Sequence, residues 1–171
     1  ETDIRLTSSD NQLVEDLINE IVPRIKKYVY GYDNDKLEQV IADLLIKNNL
    51  TVSTAESCTS GLLASRLTDV PGSSQYFKGG SVCYSNELKI NDIGIDKDLI
   101  ERYGAVSEEV AKSLAKNIAQ KNNTDLGIGI TGIAGPDGGT EKKPVGLVFV
   151  GIFYKNNLYI KKYNFCLLYT S

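Results

Sequence analysis

The five small residues at positions 57–61 (Ser-Cys-Thr-Ser-Gly) could supply a nucleophile. Residues 52–54 before them favour a strand, and the leucines of residues 62–67 recur at helical spacing. A strand that turns directly into a helix leaves backbone N–H groups unpaired, and these favour an anion or a developing oxyanion. A Ser or Cys on such a turn is placed for nucleophilic attack. The alternative is that the hydroxyls only cap the helix.

Ser57 and Cys58 compete for the role of nucleophile. Successive residues of a turn point in different directions, so only one of them can face a ligand, and we favour Ser57 by its position. Cys58 is the alternative, because a thiol at a helix N-terminus would have a lowered pKa. Glu56 precedes the turn, and we expect it to orient Ser57 or a ligand hydroxyl, or else to cap the turn.

The chain contains no histidine, so a catalytic base must be another residue type. A Ser-His-Asp triad, a Cys-His dyad and a His-ligated zinc site are all excluded within the chain. Lys, Tyr, Asp and Glu are left. We favour Lys89, because burial can lower the pKa of a lysine until it is partly neutral. Tyr84 could relay a proton or hydrogen-bond this lysine. The alternative for Lys89 is an ordinary surface lysine.

A long segment rich in Gly and Pro, residues 132–146, is typical of functional loops. The glycines of residues 132–139 permit close approach of the backbone, which predicts a cradle for phosphate or ribose, with a surface turn as the alternative. The segment is not a Walker loop, since Gly-x4-Gly-Lys-Ser/Thr does not occur. We expect the charged side chains of this loop to be solvated: Asp137, Glu141, Lys142 and Lys143.

The elements that position these residues alternate between strand and helix. Strands are predicted at residues 51–56, 81–85 and 125–131, and a hairpin of strands 147–154 and 158–165 turns at Asn156-Asn157. Helices are predicted to follow Asp10, residues 33–35, Gly61, Asn86, residue 97 and Ser107. Residues 4–6 are predicted as a short strand.

This pattern predicts a three-layer α/β/α sandwich with a mixed, mostly parallel sheet. If strands 51–56 and 81–85 are parallel, Ser57 and Lys89 lie at the same edge of the sheet, the edge at which α/β folds bind their ligands. We assign residues 33–171 to this domain. Residues 1–32 are expected to be a remnant of a preceding domain or a linker. The chain of 171 residues has no methionine, so we expect a piece of a longer protein.

Composition limits the partners. The apolar fraction of 42% and the charged fraction of 24% are those of an ordinary globular protein. The net charge of −3 gives no electrostatic footprint for nucleic acid. No apolar run approaches the roughly 20 residues that span a bilayer. Three cysteines, an odd and sparse set, favour a reducing cytoplasm. The residues suggest no metal or cofactor.

Three segments together resemble the C-terminal domain of the competence/damage-inducible protein A (CinA) family. They are residues 54–61 (Thr-Ala-Glu-Ser-Cys-Thr-Ser-Gly), 84–89 (Tyr-Ser-Asn-Glu-Leu-Lys) and 131–139 (Thr-Gly-Ile-Ala-Gly-Pro-Asp-Gly-Gly). Residues 104–109 and 141–146 also fit, and the resemblance covers about residues 33–165. It implies a three-layer domain, a homodimer and hydrolysis of the carboxamide of nicotinamide mononucleotide without a cofactor.

The resemblance also implies roles for individual residues. Ser57 matches the family's serine nucleophile and Lys89 its lysine, with Tyr84 nearby. The expected substrate-binding residues are Glu56, Cys58, Thr59, Ser60, Gly61, Asn86, Thr131, Gly132 and Gly135. Two alternatives stay open: a non-catalytic nucleotide-binding or regulatory module, and a cysteine hydrolase that uses Cys58.

The resemblance leads us to expect that residues 1–32 are the tail of the family's middle region and that the family's N-terminal domain is not part of this sequence. The chain departs from the family pattern in two further places. Ser60 stands where the family has a second glycine. Residues 166–171 replace a Gly-Asp-Arg segment and a closing helix, so we expect a basic group for the substrate phosphate and a helix covering the sheet to be missing.

Overall fold

The structure, a computed structural model, describes residues 2–165 and has two compact units, one up to Val40 and one from Ile41 onward. The first unit contains helix α1 (Asn11–Ile25) and a 3-10 turn (Lys26–Tyr28). The Asp10 side chain accepts the N–H of Gln12 at 2.9 Å and caps α1, as predicted. The domain boundary after residue 32 stays a prediction, and the expectations for residues 166–171 lie outside the described residues.

The second unit is built on a five-stranded sheet. Its strands are β1 (Val52–Glu56), β2 (Phe77–Val82), β3 (Leu126–Gly132), β4 (Leu147–Tyr154) and β5 (Asn157–Asn164), in the order β2-β1-β3-β4-β5. The first three are parallel to one another, whereas β4 and β5 are antiparallel to their neighbours. The mixed sheet with a parallel centre confirms the predicted fold class.

Helices cover both faces of this sheet. They are α2 (Leu37–Lys47), of which the part from Ile41 onward belongs to this unit, α3 (Leu62–Thr68), α4 (Asn86–Asn91), α5 (Lys97–Tyr103) and α6 (Glu108–Asn122). Strand β1 is buried along its whole length and sends alternate residues to the two sides. Val52 packs with Leu45 and Leu67 from α2 and α3, and Ala55 packs with residues of α4, α5 and α6. In residues 2–165 no helix has the length and apolar character needed to cross a membrane.

Helix α6 lies close to the sheet because glycines face it. Gly129 on β3 pairs directly with Gly151 on β4. A Cβ at Gly129 would lie 2.5 Å from the Ala115 nitrogen, and a Cβ at Gly151 would lie 2.4 Å from the Ala111 oxygen. Both contacts are with helix backbone, which has little freedom to move. The closeness of α6 therefore depends on these missing side chains.

Four local predictions are wrong. Strand β2 covers residues 77–82 rather than 81–85, because pairing with β1 extends through Gly79 and Gly80 despite their low strand propensity. Ser85, not Asn86, caps α4 by accepting the Leu88 N–H. The hairpin turns at Lys155-Asn156, the two central residues with positive φ that a two-residue turn of this kind requires. Residues 4–6 form no strand, since they have no pairing partner in the part of the chain that the structure describes.

Candidate active site

The carboxyl ends of the three parallel strands meet at one edge of the sheet. Strand β1 ends at Glu56, β2 at Val82 and β3 at Gly132. The connection after β1 crosses one face through α3, and the connection after β2 crosses the other face through α4–α6, so the chain leaves a crevice at this edge. A cleft of about 270 Å³ lies there, and both Ser57 and Lys89 line it.

The Ser57 hydroxyl and the Lys89 amine are hydrogen-bonded at 3.1 Å. Both side chains are buried, with 7% of Ser57 and 2% of Lys89 exposed. Lys89 Nζ also donates to the carbonyl oxygens of Cys83 at 2.9 Å and Tyr84 at 3.0 Å. The expected proximity of the two groups is therefore found, and Lys89 is not a surface lysine.

Burial lowers the pKa of Lys89 below its ordinary value. No carboxylate in residues 2–165 forms an ion pair with it, so nothing in that part of the chain offsets the desolvation by direct pairing. A neutral amine has two N–H groups and one lone pair. With the carbonyls of Cys83 and Tyr84 accepting the two N–H groups, the lone pair is left for the Ser57 hydroxyl. This arrangement suits a general base.

The chain reaches this geometry through the turn after β2. Ser85 begins α4, and its carbonyl accepts the N–H of Lys89 at 3.1 Å. Ile90, on the same helix, and Ile93, just after it, pack in the core with Cys83. The packing of α4 therefore directs the amine of Lys89 back over the end of β2, the strand that precedes this helix.

Glu56 turns away from the cleft and caps helix α3. Glu56 is 1% exposed. Its carboxylate accepts hydrogen bonds from the N–H groups of Gly61 at 3.2 Å, Leu63 at 3.1 Å and Ala64 at 2.8 Å. Of the roles expected for Glu56, the cap is the one that the structure shows. The N–H groups of α3 are thus already satisfied and are not open to a ligand.

The N–H groups that are open on this turn are fewer than predicted. Ser57 donates its N–H to the Ile130 carbonyl at 3.0 Å, and Ser60 donates to the Ser57 carbonyl at 3.2 Å. The N–H groups of Cys58 and Thr59 have no backbone carbonyl as acceptor among the residues that the structure describes, and both act on the Cys58 sulfur. Because Cys58 lines the cleft and Thr59 does not, an oxyanion site at residues 57–61 narrows to the Cys58 N–H.

Cys58 lies beside Ser57 in the cleft, but its thiol is not activated. Burial raises the pKa of this thiol, the Glu56 carboxylate raises it further, and Lys89 and the local backbone N–H groups oppose them. The lowered pKa expected for Cys58 is wrong, because burial of the thiol, with a further contribution from the Glu56 carboxylate, outweighs the groups that lower it. The backbone at Gly132 lies close to this thiol, since a Cβ at Gly132 would lie 3.0 Å from the Cys58 sulfur.

The other predicted site residues divide into two groups. Tyr84, Asn86, Thr131, Gly132 and Gly135 line the cleft. Tyr84 contacts Lys89 through its backbone carbonyl, and its side chain is 69% exposed. The Glu56 carboxylate and the turn residues Thr59, Ser60 and Gly61 do not line the cleft, because this turn folds towards α3 and β2.

Sequence reasoning missed part of the cleft lining. The missed residues are Ala105 and Val106, together with Asp137, which was expected to be merely solvated; Ile133, Ala134 and Gly138 belong to the predicted cradle of residues 132–139 but were not singled out. Ala105 and Val106 lie just before α6, and a helix that precedes a parallel strand begins at the carboxyl edge of the sheet. That topological signal could have placed them at the site. In residues 2–165 no three His, Cys, Asp or Glu residues are grouped to hold a metal ion.

Fold and site together define an α/β/α domain with a buried Ser–Lys pair at the carboxyl edge of its sheet. Residues 34–166 match the CinA C-terminal domain family, and the chain belongs to this family. The family resemblance carried by the three sequence segments is therefore confirmed.

Similar proteins come from several bacteria. A CinA-like protein of Dictyoglomus thermophilum is 48% identical over 151 residues, which are 88% of this chain and 37% of that protein. A putative competence-damage inducible protein of Clostridium botulinum is 45% identical over an alignment of 172 positions, which covers 96% of this chain and 42% of that protein. The chain thus spans less than half the length of these curated relatives.

Solved structures share the fold. The competence/damage inducible protein CihA from Agrobacterium tumefaciens is 34% identical with a TM-score of 0.76, covering 82% of this chain and 86% of its own. A CinA superfamily protein from Escherichia coli is 31% identical with a TM-score of 0.74, covering 83% and 86%.

Proposed function

We propose that this domain is an amidohydrolase that converts nicotinamide mononucleotide to nicotinate mononucleotide and ammonia. One observation carries the reaction type: a buried lysine amine, with its pKa lowered by burial, lies 3.1 Å from a serine hydroxyl. The resemblance of residues 54–61, 84–89 and 131–139 to the CinA family supports the choice of substrate.

In the first step, neutral Lys89 takes the proton of the Ser57 hydroxyl while Ser57 Oγ attacks the carboxamide carbon. The carbonyl oxygen becomes an oxyanion. The N–H group of Cys58, a residue that lines the cleft, is the donor that the nucleophile turn offers to stabilise it.

In the second step, the tetrahedral intermediate collapses. The Lys89 ammonium returns its proton to the amide nitrogen, the C–N bond breaks and ammonia leaves. Ser57 then carries the nicotinoyl group as an ester. Water, deprotonated by Lys89, attacks this ester and regenerates the Ser57 hydroxyl while the carboxylate product is released.

The remaining lining residues are assigned to binding. Residues 132–138 and Asn86 hold the ribose and phosphate, since glycine permits close approach of backbone N–H groups to a phosphate. Tyr84 lies at the mouth of the cleft, with an exposed ring that can contact the nucleotide. A homodimer in the cytoplasm, without nucleic-acid or membrane partners, completes the proposal.

Ammonia release from nicotinamide mononucleotide tests this function. We expect turnover by the unchanged chain and by Cys58→Ala, and none by Ser57→Ala. Ser65→Ala, which removes a hydroxyl on the exposed side of α3, is the matched control. Loss of turnover in Cys58→Ala alone would instead support a cysteine hydrolase. Saturable binding of the nucleotide without ammonia release from the unchanged chain would support a binding module.

A further inference from the structure

The connection between α5 and α6 forms one wall of the cleft and is held by side chains. Ala105 and Val106 line the cleft, and residues 104–107 have no regular secondary structure. Each of the four consecutive carbonyls of residues 103–106 nevertheless accepts a side-chain hydrogen bond. The donors are Lys143 Nζ to Tyr103 at 2.7 Å, Ser107 Oγ to Gly104 at 2.9 Å, Thr131 Oγ1 to Ala105 at 2.8 Å and Lys143 Nζ to Val106 at 2.7 Å.

Lys143 supplies two of these four bonds and comes from a different segment of the chain. It belongs to the loop after β3; residues 132–135, 137 and 138, from the end of β3 and this loop, also line the cleft. Its own backbone is fixed by a tight turn. Thr140 donates its N–H to the Lys143 carbonyl at 2.8 Å, and Lys143 donates its N–H to the Thr140 carbonyl at 3.1 Å. Bonds from an ammonium group are charge-assisted and stronger than neutral ones.

Gly104 makes room for this ammonium group. A Cβ at Gly104 would lie 2.7 Å from Lys143 Nζ, and the residue has a φ of +79°, which disfavours any other side chain. Sequence reasoning treated Lys143 as a solvated loop lysine. The structure instead places its amine between two carbonyls of residues 103–106, in a space that a larger residue at 104 would fill.

We infer that Lys143 is a positioning residue for substrate binding: its ammonium group joins residues 103–106 to the loop of residues 132–146 and keeps the cleft formed before substrate enters. The inference rests on the proposed function for the identity of the substrate. A wall that is ordered in advance avoids the cost of ordering it on binding. Lys143 bonds to the wall and not to Ser57 or Lys89, so it acts on affinity rather than on the chemical step.

Steady-state kinetics on nicotinamide mononucleotide test this role with three variants. Lys143→Met keeps the unbranched stem of the side chain and removes its donors, and we expect KM to rise about tenfold, the loss of roughly one net hydrogen bond. The value of kcat and the pH profile should not change. Lys143→Arg, which retains donors, should recover part of the loss, and exposed Lys142→Met is the matched control. A fall in kcat, a shifted pH profile or an unchanged KM in Lys143→Met would overturn the inference.

Hydrogen exchange of the ligand-free chain supplies a readout that does not depend on activity. We expect faster exchange at residues 103–107 in Lys143→Met than in Lys142→Met, with no change in β1 and α4. Equal exchange in the two variants would overturn the inference even if the enzyme is active. If the unchanged chain releases no ammonia, the proposed function fails, and the exchange experiment still decides whether Lys143 orders the wall.

Discussion

Glu56 Oε1 accepts the N–H of Ala64 at 2.8 Å, across the turn that carries Ser57. Together with its bonds to Gly61 and Leu63, this contact places a buried carboxylate where an anionic ligand would otherwise bind the start of α3. Glu56, the residue just before Ser57, therefore fixes the path of the nucleophile turn by bonding to the N-terminal end of α3. Substrate must be held by other groups.

Replacing Glu56 with glutamine should lower the free energy of unfolding by about 1–3 kcal/mol, because the amide keeps one acceptor oxygen and turns an NH₂ group towards N–H donors. Urea unfolding measures the change. Glu101→Gln, on exposed α5, is the control and should shift stability by no more than about 0.5 kcal/mol. Equal effects of the two substitutions would show that the cap is not stabilising.

Replacing Lys89 with arginine should reduce ammonia release by about 10²–10⁴-fold, the usual contribution of a general base. Arginine stays protonated at all accessible pH, so raising the pH should not restore activity. Lys116→Arg, on the exposed side of α6, is the control and should retain activity. Substantial turnover by Lys89→Arg would argue that another group takes the Ser57 proton.

The pH dependence of kcat/KM should show an acid limb from Lys89. The protonated amine has no lone pair, so activity falls as the pH drops through the pKa of Lys89. Because burial lowers this pKa, the midpoint of the limb should lie below the ordinary lysine value of about 10.4. The rate profile of the unchanged chain measures it. A midpoint at or above the ordinary value would contradict a desolvated base.

Alkylation of Cys58 should have a midpoint above the ordinary thiol pKa of about 8.5, since burial raises the pKa and only the thiolate reacts. Iodoacetamide labelling across a pH series, resolved by peptide mass spectrometry, separates Cys58 from the other cysteines. The same peptide in urea provides the reference. Faster labelling in the folded chain near neutral pH would favour Cys58 as a nucleophile after all.

Introducing alanine at Gly129 should destabilise the domain by about 1–3 kcal/mol or more, the usual range for overpacking, because the new Cβ would meet the backbone of α6 at 2.5 Å. Thermal or urea unfolding measures this loss. Lys116→Ala, on the solvent side of the same helix, should change stability by no more than about 0.5 kcal/mol. A Gly129→Ala variant as stable as Lys116→Ala would show that α6 can move away from the sheet without cost.

Much of the fold followed from local patterns. The helices that follow Asp10 and Ser107 were predicted, because side-chain caps act over a few residues. The predicted position of strand β2 was wrong because its glycines have low strand propensity. The predicted start of α4 and the predicted hairpin turn were each wrong by one residue. Those bounds depend on pairing and hydrogen bonding that local propensity does not encode.

By itself, the sequence determined that no histidine could act as a base. It favoured Ser57 as the nucleophile, with Cys58 as the alternative, and Lys89 as the base, each placed after a predicted strand. Only the tertiary structure decided what each neighbour does: Glu56 caps a helix, the Cys58 pKa is raised, and Lys143 joins two segments that line the cleft. The reason is physical. Residue type and spacing fix the available groups, whereas burial and long-range hydrogen bonds fix their charge state and direction, and these arise only when distant segments pack together.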